Sequence, residues 1–386
     1  MWRLFRKLRK TWGVLFLTAV LYVFGIFYIM KHIPELTDSP RCATLMKRPK
    51  LSWLYCSRND VYRGQAMARL RLSLRSLLRG LRESKLLDVS EIIITDWNSH
   101  TPLYNESTFN EILAKENAEI PFFVIHICEE IAQKYAESEF SEPHSLNVAS
   151  RFAHGEMLIR LDQDTMVGPA FFKWLNNQRI LNWPNHNKAW FSGRRDTSKE
   201  EYDSVMAHGY QFIKEHEKEI GHWSHKRDFL GGAIGVLAVP KDVFQCIGGY
   251  NENNIYFGFM EYGIYCRLHN LNVPIININY FGMSIHAPFY HIWHERSDNK
   301  KWNDEFSNFS NNEYWGLSNE SLPVFYCNYI SCRYYKHTSL LDIRHYPTRY
   351  NGQLCHDIRY KRSKKRHSIV ECPDKKLPKT SRFILV

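Results

Sequence analysis

The sequence lacks the features that define several protein classes. Its nine cysteines include no Cys-x-x-Cys pair and no Cys/His spacing that suggests structural zinc. The formal net charge is +11, but the excess of Lys and Arg lies within residues 1–10 and 359–386, and residues 11–358 are close to neutral. The high isoelectric point therefore does not indicate nucleic-acid binding, and no nucleic-acid partner is predicted.

Residues 11–30 contain no charged side chain, and this stretch is long enough to cross a bilayer as a helix. The preceding ten residues contain basic side chains and no acid, and no small-residue cleavage site follows the apolar run. A positive flank of this kind stays in the cytoplasm. The sequence thus predicts a transmembrane signal anchor and single-pass type II topology. A buried core helix is the alternative.

The rest of the chain is organised around a short apolar run that ends in two carboxylates. Residues 157–161 have the composition of a buried strand, and Asp162 and Asp164 follow at alternate positions. On an extended backbone this spacing places both side chains on one side of the strand. Paired oxygen ligands suit Mg²⁺ or Mn²⁺ that holds a diphosphate. The alternative is an Asp-rich surface turn.

Strand-like runs alternate with helical patterns along the chain. Strands are predicted at 51–56, 91–97, 122–128, 157–161, 189–193 and 274–280, and helices include one with Leu70, Leu74, Leu77, Leu78 and Leu81 on one face and another at 145–154. Continuous apolar runs that alternate with helices favour an α/β fold, in which a mostly parallel sheet has helices on both faces.

Five short motifs follow one another in a recognisable order. They are the turn from Ser57 to Asp60, the pair Asp162 and Asp164, the pair Gly231 and Gly232, Glu261, and His294. In this order they resemble the motifs of inverting, metal-dependent glycosyltransferases with the GT-A fold, in particular the chondroitin-polymerase-like and β-1,4-galactosyltransferase-like enzymes. The resemblance covers about residues 51–316, and it implies a Rossmann-like sheet.

The resemblance also implies a metal centre and a catalytic base. Asp164 and His294 are expected to bind Mn²⁺, with Mg²⁺ as the other possible ion and His291 as a weaker candidate ligand. Asp162 is expected to contact the ribose of the nucleotide, with metal binding as its second option. Glu261 falls on the position of the base, where the family has Asp.

The remaining motif residues are expected to bind the nucleotide-sugar. They are Ser57, Arg58, Asp60, Asp96, Asp162, Gly231 and Gly232. Glycines at such a place let the backbone approach a ligand closely. Asp60 and Asp96 are candidates for contacts with uracil or ribose, and each could instead cap the turn that follows it.

The sequence therefore predicts a metal-dependent glycosyltransferase of the hexosyltransferase class. It would move a sugar from a UDP-sugar to a hydroxyl group of a glycan or glycoconjugate, with inversion. The alternative is a catalytically inactive homologue that binds glycan or nucleotide as a partner protein, because Met260 replaces the acidic neighbour of the base that the family carries.

The predicted organisation is that of a Golgi membrane protein with a lumenal catalytic domain. Its parts are a cytoplasmic tail at 1–10, the anchor at 11–30, a stem at 31–50, the GT-A domain at 51–330 and a basic, partly disordered tail at 331–386. The sequons at Asn105, Asn308 and Asn319 are consistent with a glycoprotein, and the cysteines beyond the anchor are consistent with an oxidising lumen.

Overall fold

The computed structural model describes residues 49–59, 65–105, 107–177, 188–223, 234–256, 258, 260–278, 289–295, 311, 314–328, 330, 332–335, 349–350 and 353–354. The predicted anchor at 11–30 lies outside these residues, and so do Asp60, Gly231, Gly232 and Asn308. Within the described residues, no helix combines the length and the apolar character needed to cross a membrane.

The strands occur in short, mostly buried segments. In chain order they are β1 (Leu51–Ser57), β2 (Ser90–Trp97), β3 (Phe122–Ile127), β4 (Met157–Asp162), β5 (Thr165–Val167), β6 (Ala189–Gly193), β7 (Arg195–Asp196), β8 (His222–Trp223), β9 (Ile234–Pro240), β10 (Ile275–Asn277), β11 (Phe289–His291), β12 (Val324–Cys327), β13 (Cys332–Tyr335), β14 (Arg349–Tyr350) and β15 (Gln353–Leu354).

The helices separate these strands. They are α1 (Ala66–Glu83), α2 (Thr108–Lys115), α3 (Glu129–Tyr135), α4 (Glu142–Phe152), α5 (Pro169–Asn177), α6 (Tyr202–His208), α7 (Tyr210–His216), α8 (Lys241–Cys246) and α9 (Met260–Asn270). Helix α4 begins three residues earlier than its apolar pattern predicts, because Pro143 is compatible with the first turn of a helix.

The described residues form a central sheet of nine strands in the order β10-β6-β9-β4-β1-β2-β3-β12-β13. Seven of these strands run in one direction, and only β9 and β12 run against them. The sheet is thus mostly parallel, as predicted. Strand β13 lies beyond residue 330, where the basic tail is predicted to begin, and that boundary stays a prediction.

Two apolar layers cover the central sheet. On β1, Trp53 and Tyr55 face one layer, and Leu54 and Cys56 face the other, because successive side chains of a strand alternate. The first layer contains the predicted leucine face of α1 together with α2 and α5, and the second contains α4, α8 and α9. Each fully buried leucine contributes about 1.5–3 kcal/mol. The prediction of helices on both faces is confirmed.

A second sheet of four short strands, in the order β5-β11-β7-β8, adjoins the carboxyl end of β4. Strand β11 pairs antiparallel with β5 and parallel with β7. This small sheet joins three segments that lie far apart in the sequence. It positions most of the site described below.

Disulfide bonds occur within the described part of the chain. Cys327 and Cys332 are bonded across the hairpin of β12 and β13. Cys246 and Cys266 each take part in a disulfide bond as well. Disulfides are typical of secreted and lumenal domains, so their presence agrees with the predicted compartment without establishing it.

Candidate functional site

The carboxyl end of β4 is the centre of the candidate site. The strand ends at Asp162, and the chain turns at Gln163 and Asp164 before β5 begins. Because of this turn, strand alternation does not extend to Asp164, and the two carboxylates have different partners. The turn is tied to the end of β1, where the Ser57 hydroxyl donates to Gln163 Oε1 at 2.7 Å.

Strand pairing brings a histidine to this turn. In the small sheet, His291 stands opposite Thr165 of β5 and beside Asp196 of β7. The backbone N–H of Ile292 donates to the Asp164 carbonyl at 2.8 Å, which fixes the chain beyond β11 against the turn. A register shift of one residue would turn His291 away from the site, so the pairing itself determines its position.

Asp164, His291 and His294 form a group that could hold a metal ion. Asp164 Oδ2 lies 3.5 Å from His291 Nε2 and 3.3 Å from His294 Nε2. One potential ligand atom from each residue lies within 4.8 Å of those of the other two. Imidazole nitrogens combined with a carboxylate oxygen suit Mn²⁺ better than Mg²⁺.

The hydrogen bonds around the two histidines support a cation at this position. His294 Nδ1 donates to the Glu295 carbonyl at 2.9 Å, so a neutral His294 presents the lone pair of Nε2 to the Asp164 carboxylate. His291 faces carboxylates with both nitrogens, because its Nδ1 lies 3.4 Å from Asp196 Oδ1. Such contacts are favourable only when a proton or a metal ion compensates the negative charge, and a carboxylate behind a histidine is a frequent feature of metal sites.

Electrostatic effects on Asp164 and His291 point in the same direction. Burial alone would raise the pKa of Asp164, but the charge of His291, the hydrogen bond from His291 and the charge of Arg194 hold that pKa well below its usual range. Burial is the largest single effect on His291 and would lower its pKa, but the charge of Asp164 and hydrogen bonds to Asp164 and Asp196 together outweigh it, and the pKa is raised. Asp164 is therefore ionised and ready to bind a cation.

Asp162 lies outside this group of three residues. Its Oδ1 is 2.6 Å from Arg160 Nη2, and its Oδ2 accepts a hydrogen bond from Arg194 Nη1 at 2.9 Å. Arg194 also lies 3.3 Å from Asp196, measured from its Nε to Oδ1. The contact of Asp162 with ribose or metal stays a prediction.

Glu261 lies at the same guanidinium as Asp162. Its Oε1 is 3.2 Å from Arg160 Nη2, and its side chain is 23% exposed. The sequence did not point to Glu142 of α4, whose Oε1 accepts from Arg160 Nη2 at 2.6 Å and from Nε at 3.1 Å. An acidic residue in the first turn of a helix is common, so no sequence signal distinguishes Glu142.

The site carries an excess of negative charge. Among the described residues, its carboxylates are Glu142, Asp162, Asp164, Asp196 and Glu261, and the guanidinium groups in contact with them are those of Arg160 and Arg194. Carboxylates thus outnumber guanidinium groups, and the field of the site attracts a divalent cation.

The other predicted nucleotide-binding residues are held by contacts within the protein. Arg58 Nη1 donates to the Glu139 carbonyl at 3.0 Å. Asp96 is fully buried at the end of β2, where it accepts from the backbone N–H of Leu103 at 2.9 Å and lies 2.8 Å from His126 Nδ1. These contacts order the turn after β2. Nucleotide binding by Arg58 and Asp96 stays a prediction.

No protein-family model matches the chain, and no curated protein sequence matches it. Among solved structures, it is similar to the catalytic domain of Drosophila β1,4-galactosyltransferase 7 in complex with xylobiose, at 12% identity over 67% of this chain and 77% of that chain, with a TM-score of 0.36. A mutant of that enzyme in complex with manganese, UDP-Gal and xylobiose has 12% identity over 66% of this chain and 77% of that chain, with a TM-score of 0.34.

The chain is also similar to S. aureus TarS, at 11% identity over 63% of this chain, with a TM-score of 0.39. The similar region spans 37% of that chain. TM-scores this low support no conclusion about function.

Proposed function

We propose that the chain is a metal-dependent glycosyltransferase that moves a sugar from a UDP-sugar to a hydroxyl group of a glycan or glycoconjugate, with inversion. The observation that carries this proposal is the convergence of Asp164, His291 and His294 at the turn that follows β4. Glu261 contacts Arg160 of the same strand. In open α/β sheets, ligands bind at the carboxyl ends of the strands.

The residues that converge at the turn fit the nucleotide half of the reaction. Asp164, His291 and His294 would hold Mn²⁺, or Mg²⁺ in its place. When bound, such an ion stabilises the negative charge that develops on the leaving diphosphate. Asp162 and Ser57, at the ends of adjacent strands, are candidates for contacts with the nucleotide.

Glu261 fits the acceptor half of the reaction. As a carboxylate, it would take the proton of the acceptor hydroxyl while that oxygen attacks the anomeric carbon from the side opposite the diphosphate, which produces inversion. Within the described part of the chain, its carboxylate contacts the Arg160 guanidinium, with 3.2 Å between Glu261 Oε1 and Arg160 Nη2.

Release of UDP distinguishes an enzyme from the catalytically inactive homologue that the sequence leaves open. We expect the full-length protein in detergent to release UDP from at least one member of a panel of UDP-sugars, and to stop when EDTA removes the metal. Asp164→Ala should lower this rate on the order of 10³-fold, as expected for loss of transition-state charge stabilisation.

A matched control is Asp203→Ala, which removes an exposed carboxylate of α6 and should leave UDP release unchanged. The proposal is wrong if the wild type binds UDP with Mn²⁺ but turns over no UDP-sugar, a result that would favour the inactive homologue. Unchanged metal-dependent release in Asp164→Ala would contradict the metal site alone.

We also propose a Golgi membrane location, with single-pass type II topology and a lumenal catalytic domain. The uncharged residues 11–30 behind a basic segment support this orientation, and the disulfides suit a lumen. In sealed vesicles, protease added from outside should leave the domain beyond residue 31 intact. Digestion of that domain without detergent would contradict the topology.

A further inference from the structure

Glu142 is a carboxylate that the mechanism above does not use, although it lies beside Glu261. On β4, Leu158, Arg160 and Asp162 alternate onto the sheet face that carries α4 and α9. Glu142 is the first residue of α4, and Glu261 is the second residue of α9. Both helices therefore begin at the Arg160 side chain, and each contributes a carboxylate there.

One nitrogen atom joins these groups. Arg160 Nη2 lies 2.6 Å from Glu142 Oε1, 2.6 Å from Asp162 Oδ1 and 3.2 Å from Glu261 Oε1. Asp162 has a second cation in Arg194, whereas Glu142 and Glu261 contact no other cation among the described residues. Because like charges so close together repel, the two glutamates together favour uptake of one proton.

We propose that Glu142 and Glu261 form a carboxylate pair that contacts the acceptor hydroxyl and takes up its proton, with Arg160 as a positioning residue. This inference rests on the proposed function. In the step, the acceptor O–H bond breaks as its oxygen bonds to the anomeric carbon. The bond from that carbon to the diphosphate breaks, its electron pair leaves with the diphosphate, and the proton goes to the carboxylate pair.

The exposure of the two side chains agrees with contact to a substrate. Glu142 is 30% exposed and Glu261 is 23% exposed, whereas the Arg160 side chain between them is 7% exposed. Met260, next to Glu261 on the helix, is buried in the core beneath α9. The second carboxylate at this place thus comes from α4 and not from the residue beside Glu261.

The electrostatic surroundings of Glu142 suit proton uptake near neutral pH. Burial raises the pKa of Glu142 to about 7, Arg160 lowers it, and the charges of Asp162 and Glu261 raise it. Among the described residues, the Cys56 thiol of β1 and the buried Tyr250 hydroxyl also lie near it. A general base is most effective when its pKa is close to the working pH.

Hydrolysis of the UDP-sugar provides a test in which water takes the place of the acceptor. The full-length protein is assayed with Mn²⁺ and the UDP-sugar that the wild type turns over. We expect Glu142→Gln and Glu261→Gln each to lower kcat by about 10²-fold or more, because each removes part of the general base. The double variant should be little worse than the lower single variant, since residues that act as a unit are not additive.

Two further measurements exclude a purely structural effect. The Kd of UDP with Mn²⁺, measured by calorimetry, should stay within about twofold of the wild-type value in both variants, because the pair contacts the acceptor and not the nucleotide. In the wild type, kcat should rise as pH increases through about 7, when the pair loses its proton. In Glu142→Gln this rise of kcat near pH 7 should be lost, because the carboxyl group with the raised pKa is no longer present.

Glu129→Gln, which changes an exposed glutamate of α3, is the matched control and should behave as wild type. Glu142→Asp keeps the carboxylate and should retain the rise of kcat near neutral pH. This variant preserves the test if the glutamine variant fails to fold. Wild-type kcat and an unchanged pH profile in Glu142→Gln would overturn this inference and leave the proposed function standing. If the wild type hydrolyses no UDP-sugar and transfers no sugar, both fail.

Discussion

Two aspartates that each contact a histidine have different surroundings in this molecule. The Asp96 carboxylate accepts hydrogen bonds from groups close to it: the Ser99 hydroxyl, the backbone N–H of Leu103 and the ring of His126. These partners lie within one turn and the adjacent strand β3. A carboxylate used in this way fixes the path of the backbone.

Asp164 faces side chains that arrive from the opposite end of the domain's sequence. His291 and His294 direct imidazole nitrogens at its Oδ2, and a neutral His294 offers a lone pair there and no proton. An Asp–His contact by itself therefore does not show what the aspartate does. A structural contact differs from a cation site in the other groups that surround the carboxylate.

Replacing each aspartate by alanine should separate the two roles, and this is the largest effect we expect. Asp96→Ala should lower the free energy of unfolding by about 3 kcal/mol, because buried donors lose their acceptor. Asp164→Ala should lower it by less than Asp96→Ala does, because His291 keeps Asp196 as a partner, but should abolish Mn²⁺ binding. Urea unfolding and calorimetric titration of Mn²⁺ with UDP present provide the two measurements. Equal losses of stability would contradict the distinction.

The histidines should show the same contrast with smaller effects. His294→Ala should weaken Mn²⁺ binding about 10–100-fold, since Asp164, His291 and the diphosphate still hold the ion. His126→Ala should leave the Kd of Mn²⁺ unchanged and should cost about 1 kcal/mol of stability, because one buried hydrogen bond is lost. The same calorimetric titration compares the two variants. A weaker Mn²⁺ affinity in His126→Ala would extend the metal site to β3.

Local patterns were sufficient to predict the strand that carries Asp162 and the sheet around it. The run 157–161 is mostly apolar, and the apolar residues of the helices that cover it recur at helical spacing. Neighbouring residues alone therefore determine both the strand and the helices. The same is true of strand β6, which the structure places at Ala189–Gly193 as predicted. His294 and Glu261 could be placed only through the resemblance, because nothing in their immediate sequence distinguishes them.

Partners from distant segments could not be predicted in this way. The sequence makes His291 a weaker candidate metal ligand than His294, yet both contact Asp164. The position of His291 depends on the pairing of β11 with β5 and β7, which is a long-range property of the fold. Arg160 reads in the sequence as a polar interruption of an apolar strand. Only the position of two helix starts, those of α4 and α9, shows that it joins Glu142 to Glu261.

The small sheet also has a consequence for the order in which the site can form during synthesis. Asp162 and Asp164 leave the ribosome early, together with β5, whereas β11 follows only after β10 has been made. Because domains fold as units while the chain is being made, the proposed metal ligands cannot assemble until that late strand has paired with β5 and β7. A shortened transcript or a proteolytic fragment that ends before Phe289 therefore retains the Asp-x-Asp motif but lacks His291 and His294, the other two residues of the proposed metal site.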